Sequence, residues 1–144
     1  MLHVETLVAA LGGRKVLKRR IANLNELRET VKIGLPYASL EAVIGKFGLP
    51  REKTAAALHL PQRTMARRKK ERKLQADESD RLLRLARIGA QAAATLGSEE
   101  KAVQWLRRPN RALGNQAPLD LIDSDIGASQ VEEVLGRIEH GSIS

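Results

Sequence analysis

The sequence predicts an all-α protein. Apolar residues recur at spacings of three and four, Ala, Leu, Arg, Glu and Lys dominate, and no stretch sustains the alternation of β-branched and polar residues that a strand requires. Gly and Pro punctuate the chain at intervals that divide it into short helices.

Taken in order, Gly12-Gly13 break an opening helix, Asn23 or Asn25 caps a second, and Gly34-Leu35-Pro36 stop it. Ser39 is expected to cap a helix running to Phe47, with Gly48 as its stop. Pro50 then opens a helix filled by the Ala-rich run Arg51 to Leu58, and His59-Leu60-Pro61 make a tight turn. Another helix is expected from Pro61 or Gln62 to about Lys73, and Asp77, with Asp80 three residues on, to cap a longer one through Leu82, Leu83, Leu85 and Ile88. Ser98 caps a helix whose apolar face is Ala102, Val103, Trp105 and Leu106, ended by Pro109. Residues 118–122 form a short helical turn, and Ser129 with Glu132 is expected to box the start of a last helix. That helix buries Val131, Val134, Leu135 and Ile138 before Gly141 stops it.

Charge is divided unevenly along the chain. The net +8 comprises 17 basic and 6 acidic residues over 1–76, net +11, and 8 basic and 11 acidic over 77–144, net −3. Such asymmetry assigns one half to a polyanion and the other to a different task. With only Tyr37, Phe47 and Trp105 as aromatics, single-stranded nucleic acid finds few stacking platforms, so duplex DNA is the better polyanion. The absence of Cys removes disulfides and thiolate metal sites. The first basic residue is Arg14, after the apolar opening stretch, and no apolar run approaches the roughly 18 residues of a membrane span, so a cytoplasmic protein is expected.

The basic residues concentrate on one helix. Residues 62–73 hold Arg63, Arg67, Arg68, Lys69, Lys70, Arg72 and Lys73 against the single acid Glu71, directly after an Ala-rich helix and a tight turn, the helix-turn-helix order. Rotating about 100° per residue from Met65, which must face the core, places Arg63, Arg67 and Lys70 on the opposite face with Thr64 at its edge. Arg there offers paired hydrogen bonds to guanine, and the Thr methyl meets thymine. Gln62 stands at the same N-terminal end. Arg68, Lys69 and Lys73 fall to the sides, where phosphates are the expected partners.

Catalytic and metal constellations are missing. His3, His59 and His140 lack ligand spacing, so no metal is expected; Gly12-Gly13-Arg14-Lys15 lacks the phosphate-loop spacing and a preceding strand. There is no G-x-S-x-G motif and no Cys–His pair, and no cofactor or catalytic residue is predicted. Asp120, Asp123 and Asp125 would suit Mg²⁺ in a small nuclease, but a short helix with acids at its ends looks the same.

Two stretches carry a resemblance. Residues 60–68 running into 78–87 resemble the helix-turn-helix and following helix of the Xre/MbcA/ParS antitoxins, and residues 102–114, 118–121 and 131–141 resemble that family's toxin-binding domain. Ser124 stands where Thr is commoner in the family, before an acidic-Ile/Leu-Gly turn. The resemblance implies a dimeric antitoxin that represses its own operon. Its C-terminal region would block a cognate toxin, commonly a RES-domain enzyme that consumes NAD. Toxin contacts are expected at Trp105, Pro109, Asn110 and Leu113, and at Gly136, Arg137, Glu139, His140 and Ser144 near the C-terminus. From the residues alone, Trp105 suits a core position better than a partner contact, and Gly136 suits a partner's backbone or tight packing within the chain equally.

The expected organisation is an N-terminal helical segment over 1–32, a helix-turn-helix domain over 33–88 and a toxin-binding domain over 89–144. A stand-alone dimeric helix-turn-helix regulator is the alternative from another class.

Overall fold

The computed structural model describes residues 3–141. Nine α-helices follow one another among them: α1 Val4–Ala10, α2 Gly13–Leu17, α3 Leu24–Ile33, α4 Tyr37–Phe47, α5 Arg51–Ala57, α6 Gln62–Glu71, α7 Ala76–Leu96, α8 Glu99–Arg107 and α9 Asp125–Glu139. Short 3-10 turns at Arg111–Leu113 and Pro118–Leu121 lie between α8 and α9. The all-α expectation holds. No helix among the described residues is long and apolar enough to cross a membrane.

Helix α7 organises the molecule, with α1, α3, α4, α8 and α9 all packed against it. Leu82, Leu85, Ala86, Gly89 and Ala92 recur at three and four and are buried, giving α7 a narrow apolar stripe of alternating large and small side chains. Gly89 leaves room for an aromatic ring: a Cβ there would lie 2.9 Å from the Phe47 ring, and Phe47 is fully buried. One continuous core runs from Leu7 to Leu135, so both halves of the chain share it. The boundary expected at 88/89 falls inside α7, and that at 32/33 falls inside α3.

Polar ties link α5, the turn after it and α7 to residues 120–123. Lys53 Nζ lies 2.8 Å from Asp120 Oδ1, His59 Nε2 donates to the Asp123 carbonyl at 2.7 Å, and Arg84 donates to the Ile122 carbonyl at 3.0 Å. Of the acids in that region, Asp120 pairs with Lys53 and Asp125 lies 3.7 Å from Arg84. Among the described residues no three of His, Asp and Glu converge as a metal cluster would.

Several caps stand as expected. Asn23 Oδ1 accepts from Glu26 N at 2.9 Å, Ser98 Oγ from Lys101 N at 3.1 Å, and Gly48 ends α4 in the left-handed region. Three do not. Helix α4 begins at Tyr37 with Pro36 before it, so Ser39 lies inside the helix, its hydroxyl buried without a partner. Gln75 rather than Asp77 precedes α7, because Glu78 reaches back to the Gln75 backbone N at 2.8 Å and completes a capping box there. Ser124 rather than Ser129 caps α9, accepting from Gly127 N at 3.0 Å, so the helix starts a turn earlier than Ser129 suggests. The basic helix also ends at Glu71 rather than near Lys73: Arg72 turns left-handed, and residues 72–74 pair with 35–37 through Tyr37 N to Arg72 O, 3.1 Å, and Leu74 N to Leu35 O, 2.8 Å.

Candidate nucleic-acid and toxin interfaces

Helices α5 and α6 form the helix-turn-helix pair. Leu58 and Leu60 are buried on either side of His59, which takes a left-handed φ of 56° so that the chain reverses within a few residues; Leu60 N bonds back to Ala55 O at 2.9 Å. Met65 is buried, which sets the rotation of α6. Gln62, Arg63, Arg67, Lys69 and Lys70 are exposed and Thr64 is half-buried at the edge, the arrangement expected from that rotation. Lys73 is exposed beyond the helix end.

Arg68 is the exception. Three residues after Met65, it returns to the buried face, where its Nε donates to Glu78 Oε1 at 2.7 Å and its Nη1 to Glu71 Oε1 at 3.2 Å. The hydrogen bond it donates to Glu78 raises the pKa of the guanidinium beyond the ordinary arginine value. This side chain clamps α6 to α7 and is not available to a phosphate, which corrects the expectation made for it.

In the C-terminal half, Trp105 is half-buried, packed against the core on one side. On the other it lines a cleft of about 320 Å³ together with Leu96, Gln104, Arg108, Pro109 and Asn110. Pro109 is exposed. Asn110 spends its side-chain oxygen on Ala112 N at 2.9 Å and its backbone N on Gln116 O at 3.0 Å, so it shapes the turn that presents Pro109. Leu113 is buried in the core and packs inward, which removes it as a surface contact. A Cβ at Gly136 would meet nothing within 4 Å, so no close approach inside the chain accounts for that glycine. Arg137, Glu139 and His140 are exposed at the end of α9. Glu139 lines a separate groove with Leu24, Leu27 and Leu83, so the structure does not gather it into the cleft at Trp105. Ser144 lies outside the described residues.

Comparison with known proteins separates the two halves in the same way. The profile for the antitoxin Xre-like helix-turn-helix domain matches residues 26–87, and that for the antitoxin Xre/MbcA/ParS C-terminal toxin-binding domain matches residues 91–141. The chain belongs to the Xre/MbcA/ParS antitoxin family. It is 28% identical over 120 residues to Antitoxin Xre of Yersinia enterocolitica, covering 82% of this chain and 81% of that one. It is 42% identical over 73 residues to Antitoxin Xre of Photorhabdus laumondii, covering 50% and 49%. It is 27% identical over 124 residues to the Prs ADP-ribosylating antitoxin of a Sphingobium strain, covering 79% and 78%. As an antitoxin of this family the chain is a binding protein with a cognate toxin as partner, not an enzyme.

The antitoxin has one further exposed feature that the sequence reading passed over. Ile126 is 77% exposed at the start of α9, the most exposed large apolar side chain among the described residues. Its neighbour Gly127 is buried, and a Cβ there would lie 1.9 Å from the Leu121 carbonyl oxygen, so glycine alone lets the chain enter α9 with Ile126 turned to solvent. The signal was an apolar residue beside a glycine just after the Ser124 cap, inside the acidic-Ile-Gly turn already noted.

Proposed function

We propose that this antitoxin neutralises its toxin by covering the toxin's active site with residues 89–144 and represses its own operon by binding operator DNA through residues 33–88. On this reading it acts as a homodimer in the cytoplasm, and its toxin is a RES-domain enzyme that consumes NAD. The observation that carries the reading is the division of surfaces. The exposed cations of α6 lie in the segment matched to the helix-turn-helix profile, and Trp105, Pro109, Ile126 and Arg137 lie in the segment matched to the toxin-binding profile. NAD consumption is supported by the name of the Sphingobium relative, Prs ADP-ribosylating antitoxin, since ADP-ribose is transferred from NAD. Dimerisation is supported by the need to read paired half-sites about one DNA turn apart.

DNA reading then falls to Gln62, Arg63, Thr64, Arg67 and Lys70, with Lys69 and Lys73 on the backbone. Toxin contacts fall to Trp105, Pro109 and Ile126 and to Gly136, Arg137, Glu139 and His140. Co-expression with the toxin encoded beside it, read as growth and intracellular NAD, tests the occlusion. The wild type restores both, and truncation from Gly136 onward loses both while the remaining chain still shifts a promoter duplex. Arg137→Ala with His140→Ala tests the same surface without removing Ile138 from the apolar stripe. Protection that survives the truncation in a folded protein overturns the assignment to the end of α9, and a monomer in sedimentation, alone and on DNA, overturns the dimer.

A further inference from the structure

We infer that the N-terminal segment, through Lys18 and Arg19, forms a second contact with the DNA backbone beside the recognition helix. The inference rests on the DNA-binding reading and gives residues 1–32 a part in it. Lys18 and Arg19 line one open cleft of about 810 Å³ together with Lys69, Arg72 and Lys73 from the end of α6 and the residues that follow it. Both acids of the cleft are already matched: Glu41 holds Arg51 through two hydrogen bonds of 3.0 and 2.7 Å, and Glu71 holds Arg68 at 3.2 Å. Among the described residues none of the five remaining cations lies within 4.0 Å of a carboxylate. The cleft is thus a concentration of unmatched positive charge with fixed walls.

Its walls are held by the backbone. Arg72 is fixed by Tyr37 N bonding to its carbonyl, and Lys18 by the buried Leu17 before it and by its own N–H on Arg14 O at 2.7 Å. Lys18 and Arg72 also adopt left-handed φ values of 56° and 62°, where glycine would sit without strain. Two of the four such non-glycine residues among the described ones therefore line the same cleft, at positions where the backbone alone would favour glycine.

The occupant is set by extent. Helix α6 has ten residues, about 15 Å, and the major groove is about 12 Å wide, so a helix reading bases through Arg63 and Arg67 brings its far end to the phosphates flanking that groove. The cleft with Lys18 and Arg19 opens at that far end. A duplex backbone therefore runs from the exposed row of α6 into the cleft.

The test uses the full chain and a mixed-sequence duplex of ~30 base pairs, about three helical turns, with affinity measured by fluorescence anisotropy across a salt series. Lys18→Gly with Arg19→Ala removes two charges while relieving the left-handed strain at residue 18, so it should lower the salt slope by about 1.8 without lowering the Tm. Arg14→Ala with Lys15→Ala removes the same charge from outside the cleft and should leave the slope nearly unchanged. An unchanged slope in the first variant overturns the inference, as does an equal loss in both. A wild type that binds no duplex at any salt refutes the DNA reading itself, and this inference with it.

Discussion

Arg68 Nε donates to Glu78 Oε1 across 2.7 Å, with both side chains only 7% exposed. Glu78 Oε1 also accepts from Gln75 N, so one carboxylate caps α7 and anchors α6 to it. Removing either partner strands a buried charge, which costs about 3–5 kcal/mol. Arg68→Ala and Glu78→Ala should each fall by that much in urea unfolding, whereas Arg67→Ala, one residue earlier and exposed, should stay within about 0.5 kcal/mol of wild type. Equal effects at 67 and 68 would refute the division between reading and clamping residues.

Ser39→Ala distinguishes a cap from an orphan. A capping serine loses about 0.5–2 kcal/mol on replacement by Ala. The Ser39 hydroxyl is buried inside α4 with no partner, so removing it should instead raise stability, by about 1 kcal/mol. Thermal unfolding reads the sign directly, and a loss would restore the capping role.

Local signals such as these explain how much was legible. Asn23, Gly48 and Ser98 read correctly because each acts on residues within one turn of itself. Asp77 and Ser129 have the residue types of caps but lost to Gln75 and Ser124, which sit nearer the true first turn and have partners there in Glu78 and Gly127. The rotation of α6 was legible from Met65, the one large apolar side chain in a basic run and so the one with most to gain from facing inward. Arg68 was not, because its partner lies on another helix and nothing local separates a buried Arg from its solvated neighbours. In the C-terminal half the pattern located α8 and the toxin-binding stretch but not the exposure of Ile126, which depends on the Leu121 carbonyl lying under Gly127.

The pair Glu41 and Arg51 makes a pH prediction. The hydrogen bonds from Arg51 hold the Glu41 carboxyl below the usual glutamate value, ahead of burial, which opposes them. With a folded pKa below the unfolded one, its contribution is complete above the unfolded value and is lost as pH falls through the folded one. Both side chains are well exposed, so the contribution is a few tenths of a kcal/mol. Carboxyl-carbon NMR should give Glu41 a midpoint below ordinary glutamate, rising in Arg51→Ala; an identical midpoint in the two proteins would contradict the ion pair.

On DNA, Arg67 and Lys69 should behave differently although both are exposed and basic. Arg67→Ala should relax one position of the site by about 1–3 kcal/mol. Lys69→Ala should weaken all sequences alike and flatten the salt slope by about 0.9. Competition binding against single-base variants of the promoter duplex separates the two, and identical profiles would contradict the orientation of α6 in the groove.

Separate surfaces for DNA and toxin are the centre of the account, and a crossed comparison of two exposed residues tests them most directly. Arg67→Ala and Ile126→Asp are each measured for promoter binding and for inhibition of the purified toxin, with thermal unfolding to establish that both are folded. Arg67→Ala should lose operator affinity by about 5–150-fold and inhibit the toxin as wild type does. Ile126→Asp should bind the operator as wild type does and lose toxin inhibition, because a charge would be buried where an apolar side chain is expected to dock. Loss of both functions in either folded variant would contradict the separation, and so would retention of full toxin inhibition by Ile126→Asp.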